Sequence, residues 1–183
     1  LREWATKTYN DAITRRVFAI QQSATATISE LQTALWQYKI ALQPNKHTAT
    51  WATIAKTIHE NRWSVTWLLE SVDYDFLKLQ QCIQKDYKKW FPYLSWPKIF
   101  HYRCYILGEY CSVVLKNKQY IDIAPDTHVI QCSVKLGVIT EQESQSLSRE
   151  DISQRWRDTL AGTWITPIDM HSPLWFWSRN NFI

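Results

Sequence analysis

The sequence has few of the residues that tight turns and membrane spans require. Glycine occurs three times and proline six times in 183 residues, too few for the many turns of an all-β architecture. No apolar run approaches the roughly 18 residues of a membrane-spanning helix. The first residues also lack the basic-then-apolar pattern of a secretory signal. We therefore expect no membrane partner and a cytoplasmic location, associated with the nucleoid if the source is bacterial or archaeal.

Cysteine is present, but not in the clusters that bind metals. The spacing of the four residues fits neither a zinc site nor an iron–sulfur cluster. All four fall within apolar helical patterns, which predicts reduced core residues in a cytosolic protein; they are Cys82, Cys104, Cys111 and Cys132.

Aromatic residues are abundant, with eleven tryptophans in a chain that is 14% aromatic. Some indoles are expected in the core because they bury a large area, and others remain candidates for stacking on a flat ligand. The net charge of +4 and the pI near 8.8 permit a polyanionic partner without requiring one.

Apolar residues recur at helical spacing through most of the chain, which predicts an all-α fold of eight or nine helices. The length suits one domain, or two small lobes that share a cleft. Residues 140–147 fit either a polar linker or a partly helical turn. The expected helices are residues 3–21, a second helix capped by Thr27 or Ser29 and ended by Pro44, then about 50–61, 65–71, 73–89, 98–115, 126–136, 149–161 and a last helix after Thr166.

Residues 90–136 place a lysine and an aspartate at the starts of two apolar helices. Lys98 follows Pro97 in the first turn of a helix, where the dipole favours anions rather than cations. It is either a solvated surface lysine or an amine activated by its surroundings as a nucleophile toward a sugar carbon. Asp126 either simply caps its helix or also serves as an ionised carboxylate at the edge of a cleft.

The helix expected at residues 73–89 has three lysines near its C-terminal end: Lys85, Lys88 and Lys89. Lysines at this end complement the negative helix C-terminus. The alternative is a cluster that faces phosphate.

Two segments carry a resemblance to a known family. A turn at residues 93–98 with a lysine-headed helix, followed by the helix start Pro-Asp-Thr-His-Val at 125–129, resembles the helix-hairpin-helix DNA glycosylase superfamily. The segment PIDMHSPLW at 167–175 is similar to the last-helix motif of its archaeal 8-oxoguanine glycosylase branch. The resemblance covers roughly residues 73–178.

This resemblance implies an all-α glycosylase domain over residues 1–183, with two helical lobes, a cleft between them and the hairpin and catalytic segment at 90–137. It implies a bifunctional DNA glycosylase and lyase that flips out a damaged base, such as 8-oxoguanine. Asp126 would detach the base, and Lys98 would form a Schiff base with the sugar. Tyr102 and Trp175 would stack on the flipped base. Its edge would be read by His171, which replaces an acid of that branch, or by Asp169.

The implied partner is double-stranded DNA that contains the damaged base, bound by a monomer. Phosphate contacts would come from Lys85, Lys88, Lys89 and Arg103, together with the hairpin, where Trp96 replaces the second glycine. The resemblance implies no organic cofactor and no catalytic metal, although hairpin carbonyls can bind a monovalent cation. Two alternatives stay open: a noncatalytic nucleic-acid-binding protein on the same scaffold, and a helical interaction domain unrelated to nucleic acid.

Overall fold

The computed structural model describes residues 2–183, and it confirms the all-α prediction. About two-thirds of the chain, 67%, is helical. Residues 2–183 form no strand, only an isolated bridge between Asp75 and Lys116. The α-helices are α1 (Arg2–Asn10), α2 (Ile20–Thr25), α3 (Ile28–Gln37), α4 (Pro44–Glu60), α5 (Val65–Ser71), α6 (Phe76–Gln81), α7 (Pro97–Cys111), α8 (Thr127–Lys135), α9 (Glu141–Ser146), α10 (Arg149–Leu160) and α11 (His171–Arg179).

The chain divides into two compact units. The first comprises Leu1–Asp73 and Cys82–Ser95, and the second comprises Tyr74–Gln81 and Trp96–Ile183. Both helix starts that the sequence singles out, at Lys98 and Asp126, therefore belong to the second unit.

The core of the first unit lies where α2 and α3 pack against α4. Leu35 is completely buried there, and Trp51 anchors α4 by donating its indole N–H to the Val17 carbonyl at 2.9 Å. Thr27 forms a capping box with Glu30 at the start of α3, so Thr27 rather than Ser29 is the cap. The buried apolar residues of this cluster are Val17, Leu31, Ala34, Leu35, Ala41 and Ala52.

Two predicted boundaries in this unit are wrong. The helix expected at 3–21 is interrupted after Asn10, because Asp11 Oδ1 accepts the backbone N–H groups of Ile13 and Thr14 at 2.7 and 3.2 Å. Such local bonds compete with the helical ladder. Pro44 begins α4 instead of ending the preceding helix, since the first helical position needs no N–H donor.

The single helix predicted at residues 73–89 is also wrong. Asp73 has a left-handed φ of 56°, and the side chain that accepts a first-turn amide is Asp75, from Lys78 at 3.0 Å. The α-helix ends at Gln81 and continues only as a π-helical turn, Cys82–Asp86.

The core of the second unit is built on α8, α10 and α11. Trp156 on α10 is 2% exposed, and its indole N–H donates to Ser133 Oγ on α8 at 2.9 Å. Ser148 and Asp151 stand three residues apart, as the two residues of a capping box do, and they form one at the start of α10. The buried residues of this cluster are Ile123, Val129, Cys132, Ile139, Ile152, Trp156 and Leu174.

The cysteines are free, and three of the four are core residues as predicted. Burial raises the pKa of the Cys104 thiol to about 12, so it stays protonated at neutral pH. Cys111 departs from the prediction and is exposed, because α7 ends there, four residues before the predicted end.

Ser133→Ala tests the polar contact inside the second core. Ser133 Oγ donates to the Val129 carbonyl at 2.7 Å and accepts the indole N–H of Trp156. Without the hydroxyl the buried indole N–H has lost its acceptor, so we expect a loss of about 1–3 kcal/mol in the free energy of unfolding. Urea denaturation measures it. The exposed Ser146→Ala should change stability by less than about 0.5 kcal/mol, and equal effects of the two variants would contradict the contact.

Candidate active site

Lys98 and Asp126 meet in the second unit although 28 residues separate them. Lys98 is the second residue of α7, and Asp126 is the N-cap of α8. The distance between Lys98 Nζ and Asp126 Oδ2 is 3.3 Å, so the two side chains form a hydrogen-bonded ion pair. The structure thus brings together the amine and the carboxylate that the sequence singles out.

The two oxygens of Asp126 have separate partners. Oδ1 accepts the backbone N–H groups of His128 and Val129, both at 3.1 Å, which caps α8. Oδ2 contacts Lys98 instead. Burial raises the pKa of the Asp126 carboxyl, but the Val129 amide and the Lys98 ammonium outweigh burial and bring the pKa below its ordinary value. Asp126 is therefore ionised at neutral pH, with one oxygen in the cap and one facing the amine.

Substitutions at Asp126 separate its cap from its charge. Asp126→Ala removes both and should lower the free energy of unfolding by about 0.5–2 kcal/mol, whereas Asp126→Asn keeps a good cap and should cost much less. The exposed pair with Lys98 adds about 0–1 kcal/mol at most. Urea denaturation at pH 7 checks the order, with Thr127→Ala as the neighbouring control. Equal losses in the Asn and Ala variants would show that the charge, not the cap, stabilises α8.

His171 lies at the same site with an unsatisfied ring nitrogen. Its Nδ1 is buried and has no hydrogen-bond partner within residues 2–183. The ring contacts the Tyr102 ring edge-on, with centroids 6.0 Å apart. Burial lowers the pKa of His171, while the charge of Asp126 raises it and that of Lys98 lowers it further. The imidazole is therefore neutral at pH 7 and can donate or accept at a ligand.

The pKa of His171 reports on this arrangement. We expect Lys98→Gln to raise it and Asp126→Asn to lower it, because each variant removes one of the two opposing charges. NMR titration of the imidazole, identified by its loss in His171→Gln, measures both shifts. Lys118→Gln, at an exposed lysine of the same unit, should leave the pKa unchanged.

The same titration has a consequence for stability. The folded-state pKa lies below the ordinary 6.5, so unfolding takes up a proton between the two values. The contribution of His171 is complete above pH 6.5 and is lost as the pH falls through the folded-state pKa. The loss of stability on acidification should be smaller in His171→Gln, and an unchanged loss would contradict the burial of a neutral imidazole.

Tyr102 and Trp175 differ in what surrounds them. Tyr102 stands one turn after Lys98 on α7, and 44% of its surface is exposed. Trp175 on α11 is half-buried, and its ring contacts His128 edge-on at 5.4 Å. The Arg179 guanidinium lies over the same indole, 4.9 Å from its centroid.

His128 lies between Asp126 and Trp175, and it was not among the site residues predicted from the sequence. Its backbone N–H donates to Asp126 Oδ1, its ring contacts Trp175, and its Nδ1 lies 3.0 Å from Ser178 Oγ. It therefore connects the capping carboxylate to the indole on α11. Its place in the first turn of α8, two residues after Asp126, was the available signal.

The other predicted site residues of the second unit are Asp169, Arg103 and Trp96. Asp169 Oδ2 accepts from both the backbone N–H and the hydroxyl of Thr166, at 2.8 and 2.7 Å, so this oxygen is already engaged in a capping box. Arg103 is exposed on α7. Trp96 is the N-cap of α7, 59% exposed and with an extended φ of −89°.

Trp96 stands where the family's hairpin has a glycine, but it does not take a positive φ. The residue of this turn with a left-handed backbone is Tyr93, with φ 65°. Three of the lysines predicted to contact DNA phosphate are exposed and belong to the first unit, whereas Lys98 and Asp126 belong to the second; they are Lys85, Lys88 and Lys89.

Within residues 2–183 no three histidine, cysteine or acidic side chains come together as metal ligands. Across the same range, every helix is too short or too polar to cross a membrane. The site residues themselves offer an amine, a carboxylate, an imidazole and two aromatic rings.

Comparison of the chain with protein-family models, with curated proteins and with solved structures finds no match.

Proposed function

We propose that the protein is a base-excision DNA glycosylase with lyase activity, which removes a damaged, oxidised-purine-like base. The observation that carries the proposal is the 3.3 Å contact between Lys98 Nζ and Asp126 Oδ2 at the starts of two helices. The resemblance assigns nucleophile and carboxylate to these same two residues. A partly exposed tyrosine, one turn after the lysine, supports a flat ligand beside the amine.

Asp126 supplies the charge that detachment of a base requires. Loss of the base leaves positive charge on the sugar, and an ionised carboxylate stabilises such charge electrostatically. The lowered pKa of Asp126 keeps it ionised at the pH of the cell. Its cap on α8 fixes the carboxylate, so little reorganisation is needed during the reaction.

Lys98 acts as the nucleophile once its amine is neutral. In the ion pair the ammonium is held in place but has no free electron pair, so it must first lose a proton to water, to which its side chain is 55% exposed. Asp126 stays ionised. Nζ then bonds to C1′ while the bond from C1′ to the base breaks, and the base departs with that electron pair and takes up a proton. Opening of the sugar gives an imine, which permits elimination of the 3′ phosphate.

The site residues on α7 and α11 would hold the flipped base. Tyr102 and Trp175 offer rings for its two faces. His171, with its unpartnered Nδ1, would bond to its edge. The finer architecture that we propose with it is two helical lobes and a helix-hairpin-helix motif that grips DNA phosphate. Lys85, Lys88, Lys89 and Arg103 would contact phosphate, so binding weakens as salt rises.

Borohydride trapping tests the proposal. The protein is incubated with duplexes that contain 8-oxoguanine, uracil, thymine glycol or an abasic site, and is then reduced. We expect a covalent adduct and strand cleavage on at least one of them. Lys98→Gln should abolish the adduct, and Asp126→Asn should slow base release by about 100-fold or more, as losses of electrostatic stabilisation do.

The controls separate chemistry from folding and binding. Lys118→Gln keeps the fold and should form adduct at the wild-type rate. If the wild type forms no adduct and no nick on any duplex, while Lys98→Gln binds them equally well, the noncatalytic nucleic-acid-binding alternative replaces the enzyme. The absence of both binding and cleavage would leave the unrelated interaction domain.

A further inference from the structure

The first unit contains a cluster of stacked aromatic rings that the proposed reaction does not use. Trp63 lies nearly parallel to Phe91 on one side, with centroids 6.3 Å apart and planes at 10°. It lies equally flat against Trp67 on another, at 5.2 Å and 13°. Burial decreases along this series, from Phe91 at 2% exposed to Trp67 at 44% exposed. The series therefore runs from the core to an indole at the surface.

A second stack lies beside the first. The Tyr87 and Trp90 rings are 5.1 Å apart with planes at 24°, and both also contact Trp63. Trp90 is 42% exposed. Each stack thus ends in a half-exposed indole whose inner neighbour is more deeply buried, which leaves a flat apolar ring available to a further flat group.

Backbone hydrogen bonds hold the chain segments that carry these rings. After α4 the left-handed Arg62 donates its N–H to the His59 carbonyl, and the Trp63 N–H donates to the Ile58 carbonyl at 2.8 Å. This is the paired bonding of a Schellman motif, and it determines where Trp63 leaves the helix. Ser64 then caps α5 by accepting the Trp67 N–H at 2.9 Å.

Hydrogen bonds also hold the backbone at Trp90, in the second stack. The Trp90 N–H donates to the Tyr87 carbonyl at 2.8 Å, and the Trp90 carbonyl accepts the Thr57 hydroxyl at 3.3 Å. The rings are therefore ordered before any ligand arrives, and a ligand that stacks on them does not have to immobilise them.

The positive charge next to these rings favours a ligand that carries negative charge. Lys88 and Lys89 are the two residues between the stacked Tyr87 and Trp90, and both are exposed. Residues 85–89 contain three lysines and one aspartate, a net of two positive charges. Flat rings that alternate with cations are complementary to a chain of flat bases joined by phosphates. Paired bases show no open face, so the ligand must be unpaired.

We infer that the exposed indoles of Trp67 and Trp90 form a stacking platform for single-stranded nucleic acid, with Lys88 and Lys89 contacting its phosphates. The platform belongs to the first unit and the Lys98–Asp126 pair to the second. Lys88 and Lys89 serve as phosphate contacts in both proposals, whereas Trp67 and Trp90 serve the platform alone.

Fluorescence anisotropy with a labelled dT12 oligonucleotide tests the inference. Trp67→Ala and Trp90→Ala should each weaken binding about tenfold, which is within the range measured for one stacked base. Trp67→Phe and Trp90→Phe keep a ring and should retain most of the affinity. Lys88→Gln and Lys89→Gln should each reduce the slope of log affinity against log salt by about 0.7. Circular dichroism checks that each variant is folded.

Two exposed tryptophans outside the cluster provide matched controls. Trp36 is 62% exposed and Trp164 is 88% exposed, and alanine at either position should change dT12 affinity less than twofold. Lys98→Gln should bind dT12 like the wild type even where it has lost the covalent adduct, so the two proposals fail separately. Equal effects of Trp67→Ala, Trp90→Ala and Trp36→Ala would overturn the platform. It would also be overturned if Trp67→Ala and Trp90→Ala weakened binding of an undamaged 12-base-pair duplex as much as they weaken binding of dT12.

Discussion

The arrangement of the candidate site depends on the two-sided engagement of one carboxylate. Asp126 Oδ1 caps α8 through two backbone amides, and Oδ2 contacts the amine at the start of α7. Capping holds the carboxylate in place on its own helix, so the ion pair brings the Lys98 amine to a defined point at the start of α8. His171 gains its place at the site because α8 and α11 share the second core. Tyr102 reaches His171 because α7 packs against the 3-10 turn Pro167–Met170, which leads into α11.

Much of this site could be predicted because the signals are local. An aspartate after a proline and before an apolar helical stripe predicts an N-cap, and Asp126 is one. Ser148 with Asp151 three residues later predicts a capping box, and the structure contains it. The four-residue spacing of Lys98 and Tyr102 fixes their shared helix face by geometry alone. That an amine and a carboxylate 28 residues apart converge was a hypothesis taken from resemblance, not a consequence of either motif.

The errors arose where a side chain or a distant contact overrides periodicity. Asp11 bonds to Ile13 and Thr14 and interrupts a stretch whose apolar spacing is helical throughout. Asp75 accepts the side-chain amide of Asn117, 42 residues away, at 2.7 Å, and α6 begins at Phe76, three residues later than the predicted start at Asp73. The tryptophan content indicated that some indoles could stack on a ligand, but it could not predict the cluster around Trp63. The rings at positions 63, 67, 87 and 90 meet through tertiary packing.

Stability does not account for a lysine at position 98. A cation in the first turn opposes the helix dipole, at a cost of about 0.3–1 kcal/mol. Its exposed ion pair with Asp126 contributes about 0–1 kcal/mol in return, so the two effects nearly cancel. A neutral side chain at the same place would leave α7 equally stable, and Asp126 would still cap α8 through Oδ1. What the lysine adds is chemical: a primary amine held 3.3 Å from an ionised carboxylate, beside a neutral imidazole with an unpartnered nitrogen and a half-exposed tyrosine. Such a set is suited to a reaction at an electrophilic carbon next to a flat group.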